Sequence, residues 1–282
     1  MQIIRHPAEM TAWAKEQAKA GRRIGLVPTM GFFHEGHISL MRRAGQLADQ
    51  VAVSLFVNPT QFGPQEDLAA YPRDFERDCA MAEAAGVTAL FAPEAAEMYP
   101  AGFSTTVTVG AELTGHLCGA SRPGHFAGVA TVVCKLFSIV RPDLAVFGEK
   151  DFQQLAVIRR MNADLNLGVE IVTHPIVREA DGLAMSSRNT YLAPQQREAA
   201  LSLSRALALA RKMAAAGERS AERLTAALLD FIHAFPETAV DYISFVHQDS
   251  LQPAVEIDSQ TVLALAVQIG GKVRLIDNGL VL

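Results

Sequence analysis

Two histidines, His34 and His37, are the residues of this chain best placed to meet an anion. They lie in the run Pro28-Thr29-Met30-Gly31-Phe32-Phe33-His34-Glu35-Gly36-His37. The run follows the apolar stretch Ile24-Gly25-Leu26-Val27 and leads into Ile38, Met41, Gly45 and Ala48, which recur at helical spacing. Apolar run, glycine turn and amphipathic segment read as strand, tight turn and helix N-terminus, with the helix over 38–48. A helix N-terminus presents unpaired N–H groups and the positive end of the dipole, and both favour phosphate. Histidines three apart share a helix face, so both can reach one anion. The Gly31–Gly36 spacing imitates a P-loop, but His37-Ile38 stands where Lys-Ser/Thr would be, which excludes a Walker A loop. Taken alone, the pattern reads equally well as a solvated turn.

Four further clusters could do chemistry. Asn58-Pro59-Thr60-Gln61-Phe62-Gly63 is a polar turn after an apolar run. In Gly148-Glu149-Lys150-Asp151-Phe152-Gln153-Gln154, a lysine just past a strand end can put a compact charge on phosphate. Asp151 there can cap a helix or accept from hydroxyls. Arg122-Pro123-Gly124-His125-Phe126 offers two cationic donors before a helix. Met185-Ser186-Ser187-Arg188-Asn189 sets two hydroxyls and a guanidinium in a mobile loop, which suits a polyphosphate leaving group. Each has a plain alternative as a capped or solvated loop.

These residues need a frame, and the sequence supplies one. Strands are expected over 24–27, 51–57, 87–91, 144–147 and 169–173. Helices are expected over 38–48, 75–85, 128–140 and 152–166. Nearly continuous apolar strands alternating with helices imply an α/β fold: a Rossmann-like, doubly wound parallel sheet. Such sheets bind ligands at the carboxyl ends of their strands, where the loops at 28–37, 58–63 and 148–151 would converge. After Pro175 the texture changes. Pro194 opens an Ala/Leu-rich helix ending near Gly217, Ser220 is an expected N-cap, and strands follow over 240–246, 261–269 and 272–276, with a Gly270-Gly271 turn. The expected division is therefore a nucleotide-binding domain over 1–175 and a smaller α+β domain over 176–282, forming a lid.

Bulk properties narrow the function. At 282 residues, half of them hydrophobic and a fifth charged, the chain is an ordinary globular protein with a large core. A net charge of −5, with only isolated basic pairs such as Arg22-Arg23, argues against nucleic acid as a partner. The N-terminal residues lack a signal h-region, and 129–140 is too short to span a bilayer, so no membrane role is expected. Cys79, Cys118 and Cys134 lack metal-site spacing and read as free thiols in a reducing cytoplasm, Cys134 as a small buried hydrophobe.

Taken together and in order, the motifs resemble the pantoate–β-alanine ligase (pantothenate synthetase) family of the HIGH-motif nucleotidylyltransferase superfamily. The resemblance runs nearly end to end. It includes Phe56-Val57-Asn58-Pro59-Thr60-Gln61-Phe62, Tyr71-Pro72-Arg73 and the late Arg274-Leu275-Ile276-Asp277-Asn278. Phe32-Phe33 and Thr60 depart from the family's usual residues and bear on pocket shape. The resemblance implies an ATP-dependent condensation: pantoate attacks the α-phosphorus to give pantoyl adenylate and pyrophosphate, and the amine of β-alanine then releases AMP.

By the same resemblance, His37, His34, Lys150 and Arg188 are the catalytic set, with His37 the proton donor. ATP is expected against Met30, Gly31, His34, His37, Gly148, Glu149, Lys150, Asp151, Val177, Met185, Ser186, Ser187 and Arg188, with Val177 at the adenine. Pantoate falls to Gln61, Gln154 and Arg122, and β-alanine to Gln61. Mg²⁺ is expected with ATP, held mainly by substrate oxygens and water, and the family implies a cytoplasmic homodimer. One competing reading is a nucleotidylyltransferase that passes AMP to a phosphate-bearing acceptor. That enzyme would need more cations around its acceptor and no Gln61/Gln154 pair. A non-catalytic nucleotide-binding protein would be expected to have lost part of the charged set, all of which is present.

Overall fold

The computed structural model describes residues 1–64 and 66–282. The chain divides into two compact units. The first comprises Met1–Val109, Arg122–Glu149 and Gln154–Pro175; the second comprises Gly110–Ser121, Lys150–Gln153 and Ile176–Leu282.

The first unit carries β1 (Gln2–Ile4), α1 (Pro7–Lys19), β2 (Ile24–Thr29), α2 (Glu35–Leu47), β3 (Gln50–Leu55), α3 (Phe75–Ala84) and β4 (Ala89–Phe91). The single-turn α4 (Ala95–Met98) follows; the equally short α5 (Ala111–Thr114) and α6 (Cys118–Ser121) belong to the second unit. Next come α7 (His125–Val140), β5 (Leu144–Gly148), α8 (Phe152–Asp164) and β6 (Glu170–His174). The strands form one parallel sheet in the order β1-β4-β3-β2-β5-β6.

That is the expected doubly wound sheet, with β1 as an extra edge strand. Its order reverses beside β2: the chain runs from β2 outward through β3 and β4, then returns to place β5 on the other side of β2. Ligand-binding crevices form at such a reversal. The central strands read as unbroken apolar runs because both faces are covered. Val27, Val51, Val53, Leu90 and Val146 pack with Phe33, Ile38, Met41 and Ala44 in one core cluster.

The second unit holds α9 (Arg197–Ala215), α10 (Ala221–His233) and an antiparallel sheet of β7 (Thr238–His247), β8 (Thr261–Ile269) and β9 (Val273–Leu280). Leu203, Leu207, Leu224 and Leu228 of the helices pack on Leu263, Leu265 and Leu275 of the sheet. Ser220 caps α10 as expected, its side chain accepting from the Arg223 amide. The last strand runs to Leu280, four residues beyond the expected end, because Asp277 and Asn278 stay in register with Leu265 and Ala264. No helix among the described residues is long and apolar enough to cross a membrane. The three thiols are free, but Cys134 is only half-buried, and the buried Cys118 places its sulfur 3.1 Å from the Tyr242 hydroxyl, so neither is a plain buried hydrophobe.

Candidate active site

Five residues, Met30 to His34, join β2 to α2. Gly31 and Phe32 both take left-handed backbone, φ +84° and +50°. For a bulky side chain that conformation costs roughly 1–2 kcal/mol, so something must hold it. The holder is α3. The buried Asp78 carboxylate accepts the amides of Phe32 at 2.6 Å and Phe33 at 2.7 Å. Arg77 donates to the Phe33 carbonyl at 2.9 Å and lies over the Phe32 ring at 5.1 Å. Burial pushes the Asp78 carboxyl above the usual range, against the pull of those amides. A side chain at Gly31 would bring its Cβ to 3.1 Å from Asp78 Oδ2, so the loop leaves no comfortable room there. Neither Arg77 nor Asp78 stands out in the sequence, where both read as ordinary residues of an amphipathic helix.

The helix itself opens at Glu35, three residues earlier than periodicity implied, and His34 is its N-cap in extended backbone. The two histidines therefore do not share a helical face. They meet through the cap instead: His37 Nδ1 accepts the His34 amide at 3.3 Å, and the ring centroids lie 4.0 Å apart. An Nδ1 that accepts from an amide leaves the proton of neutral His37 on Nε2, which is then a hydrogen-bond donor. That suits the role of a donor toward phosphate oxygen.

Beside this turn, past the end of the adjacent strand β3, the segment 58–61 forms a capped 3₁₀ turn. Gln61 is buried; its amide nitrogen points to Met30 Sδ at 3.0 Å and its amide oxygen accepts from Asn58 at 3.2 Å. Asn58 also donates to the Gly128 carbonyl and accepts from Tyr99. The turn sits so close to α7 that a Cβ on Gly128 would lie 2.3 Å from the Thr60 carbonyl oxygen. Only glycine fits there.

Arg122, expected to meet pantoate directly, already has an anionic partner. Its guanidinium forms a two-pronged pair with Glu66, at 2.7 and 2.6 Å. Burial opposes ionisation of Glu66, but Arg122 outweighs it and holds the carboxyl below its usual range. Arg122 also donates to His125 Nε2 at 3.0 Å, so His125 is neutral here and its Nδ1–H donates to the Gln61 carbonyl at 2.8 Å. His125 is thus a support for Gln61 rather than a second cation. Gln154 is half-buried in the first turn of α8.

Gly148 ends β5, on the other side of β2. Nothing lies within 4 Å of where its Cβ would be, so the backbone is open to an approaching ligand. Glu149, Lys150 and Asp151 continue as a 3₁₀ turn. In the second unit the Lys150 ammonium lies 3.9 Å from Asp151, and its backbone carbonyl accepts from Asn278 at 2.8 Å.

Val177 and Met185 face each other across a small hairpin, joined by the Met185 amide to the Val177 carbonyl at 2.9 Å. The Ser186-Ser187-Arg188 stretch, expected as a mobile loop, leads into an ordered 3₁₀ helix, Ser187–Tyr191. Ser186 caps it by accepting from the Arg188 amide. Asn189 pins it further, donating to Glu179 at 2.6 Å and to the Ala184 carbonyl at 3.0 Å.

Known proteins resemble this chain along its whole length. The family model described as pantoate-beta-alanine ligase matches residues 2–280. A pantothenate synthetase of Heliobacterium modesticaldum is 61% identical over 99% of this chain and 98% of its own length. One of Geobacter sulfurreducens is 56% identical over the same shares. The crystal structure of pantothenate synthetase from Thermus thermophilus superposes with a TM-score of 0.94 at 47% identity, covering 100% of this chain and 99% of that one. The Francisella tularensis pantoate-beta-alanine ligase, complexed with beta-gamma ATP and beta-alanine, gives 0.82 at 34% identity, covering 100% and 98%. With a full-length family match and the loops above on a matching sheet, this chain belongs to the pantoate-beta-alanine ligase family.

Proposed function

We propose that this protein condenses pantoate with β-alanine, driven by ATP, through a pantoyl-adenylate intermediate. The observation that carries the reading lies within the first unit: a paired-histidine helix cap after β2, with the Gln61 side chain, past the end of the neighbouring β3, against Met30 of the same turn. A phosphate-facing donor next to an amide fits a substrate that joins a polyphosphate to a hydroxy acid.

In the first step a pantoate carboxylate oxygen attacks the α-phosphorus, forming a P–O bond while the bond to the pyrophosphate oxygen breaks. His34, His37, Lys150, Arg188 and the Ser186 and Ser187 hydroxyls meet charge growing on phosphate oxygens. Met30, Gly31, Gly148, Glu149, Asp151, Val177 and Met185 hold the nucleotide, while Gln61 and Gln154 orient pantoate through its hydroxyl and carboxylate. In the second step the free amine of β-alanine attacks the acyl carbon, forming the amide as AMP departs, and the nitrogen gives its proton to solvent. The protein enters no covalent bond. Its contribution is alignment of two substrates and protection of a hydrolysable mixed anhydride.

Mg²⁺ would come with ATP rather than from a protein ligand set, and would supply charge neutralisation on the polyphosphate. Imidazole, hydroxyl and ammonium groups dominate the proposed phosphate-facing set, which fits a cation that arrives with its nucleotide. Arg122 enters this scheme as a group committed to Glu66 and, with His125, to the Gln61 carbonyl. That commitment argues against transfer of AMP to a phosphate acceptor, which would need the cation free. We further propose a homodimer acting in the cytoplasm, a reading in keeping with three free thiols; sedimentation and cell fractionation test it. Incubation with ATP, Mg²⁺, pantoate and β-alanine should yield pantothenate, AMP and pyrophosphate by mass. ADP and orthophosphate as products would contradict the adenylate route.

A further inference from the structure

The late run Arg274-Leu275-Ile276-Asp277-Asn278 contributes nothing to the chemistry above, yet it makes up most of β9 and each of its polar side chains is hydrogen-bonded. Asp277 and Asn278 are adjacent on a strand, so their side chains leave opposite faces of the sheet. Both are buried, at 2% and 7% exposure.

On one face, the Asp277 carboxylate takes both prongs of Arg178, at 2.7 and 2.9 Å. It also accepts the Asn278 amide at 2.8 Å. Arg178 in turn donates to the Gly182 carbonyl at 3.0 Å. Arg178 and Ala184 bridge the hairpin whose ends are Val177 and Met185. On the other face, the Asn278 amide nitrogen donates to the Lys150 backbone carbonyl at 2.8 Å. Two segments far apart in sequence are therefore gripped from neighbouring positions on a single strand. A three-residue 3₁₀ turn has little internal rigidity of its own, and a lysine has four rotatable side-chain bonds. Where the Lys150 ammonium reaches depends first on where its backbone is fixed.

We propose that Asp277 and Asn278 are positioning residues for the ligase reaction: Asn278 sets the backbone of Lys150, and Asp277, through Arg178, sets the Val177–Met185 hairpin. The inference rests on the proposed placement of Lys150 at phosphate and of Val177 and Met185 at the nucleotide.

The assay is pantoate-dependent exchange of labelled pyrophosphate into ATP by the full-length protein, normalised to the folded fraction. Asn278→Ala should lower kcat about tenfold, a larger effect than on KM for ATP, since a displaced charge acts on the transition state. Asp277→Asn should instead raise KM for ATP about tenfold, because it frees the nucleotide hairpin. Asn278→Asp keeps the size but replaces the donor with an acceptor facing a carbonyl. It should be slower than Asn278→Ala, and it carries the test if the alanine variant folds poorly.

Adding Asn278→Ala to Lys150→Ala should cost little further in kcat, since the residue acts on the transition state mainly through the lysine. If Lys150→Ala itself turns over normally, the placement of Lys150 fails. If Lys150→Ala is slow and Asn278→Ala still multiplies its full factor onto it, the positioning role fails. Loss of folded protein with unchanged kinetics per folded molecule, in both Asn278 and Asp277 variants, overturns the proposal in favour of plain structural support.

Discussion

Asp78→Asn should damage adenylation without touching any group proposed to meet substrate. The wild-type carboxylate offers one oxygen to each of two successive amides, at 2.6 and 2.7 Å. Asparagine keeps one oxygen and turns an NH₂ group toward the other amide. One charge-assisted hydrogen bond, worth about 1.5–3 kcal/mol, is lost and a buried N–H is left unmet. Removal of a carboxylate that burial already disfavours returns part of this, so the net loss of stability should be about 2 kcal/mol.

The larger consequence is geometric. Phe32 at φ +50° has a conformational reason to leave the left-handed region, and Asp78 opposes it. Once it relaxes, His34 and His37 shift, and a displacement near 1 Å can cost about 10²-fold in rate. Pantoate-dependent pyrophosphate exchange, corrected for folded fraction by circular dichroism, reads the rate, and urea unfolding reads the stability. Adding Phe32→Gly should restore much of the lost rate, because glycine adopts positive φ without help. An Asp78→Asn enzyme that loses stability but keeps its full rate per folded molecule would show that the loop geometry does not depend on this carboxylate.

Three other outcomes follow from the same structure. Gly128→Ala drives a methyl to 2.3 Å from the Thr60 carbonyl oxygen, so it should destabilise by about 1–3 kcal/mol and raise KM for pantoate by displacing Gln61. Gln61→Ala should weaken pantoate far more than ATP in calorimetric titrations, since its amide faces Met30 and Asn58 and carries no charge for phosphate. Glu66 has a depressed folded pKa, so its stabilisation is present above the ordinary value of 4.5 and fades as pH falls through the lower folded value. Glu66→Gln should therefore lose stability at neutral pH and show a shallower acid-unfolding slope below pH 4.5 than the parent, measured by urea midpoints across pH.

Much of the fold was legible because buried parallel strands write themselves as apolar runs: 24–27, 144–147 and 261–269 all fall within observed strands. The short β1 and the weakly amphipathic α1 left no such mark, and neither was expected. The start of α2 was misplaced because His34 caps it without a Ser, Thr, Asp or Asn signal. The site loops were legible as motifs, but their supports were not. Asp78 reaches the Phe32 amide across 46 positions, Glu66 meets Arg122 across 56, and Asn278 reaches Lys150 across 128. Such pairs depend on packing of distant segments, which no local pattern encodes. Gly110–Ser121 and Lys150–Gln153 join the C-terminal unit for the same reason: membership there is decided by tertiary contact rather than by order along the chain.

The proposed chemistry turns on a free-standing adenylation step, made by phosphate-facing residues that have no need of the amine. Labelled pyrophosphate, ATP, Mg²⁺ and pantoate, with β-alanine omitted, test it. The label should enter ATP at a rate that depends on pantoate, falls by about 10²–10³ in His37→Ala, and is not raised from zero by the amine. Exchange that begins only when β-alanine is added would rule that step out and leave a concerted reaction of three substrates in its place.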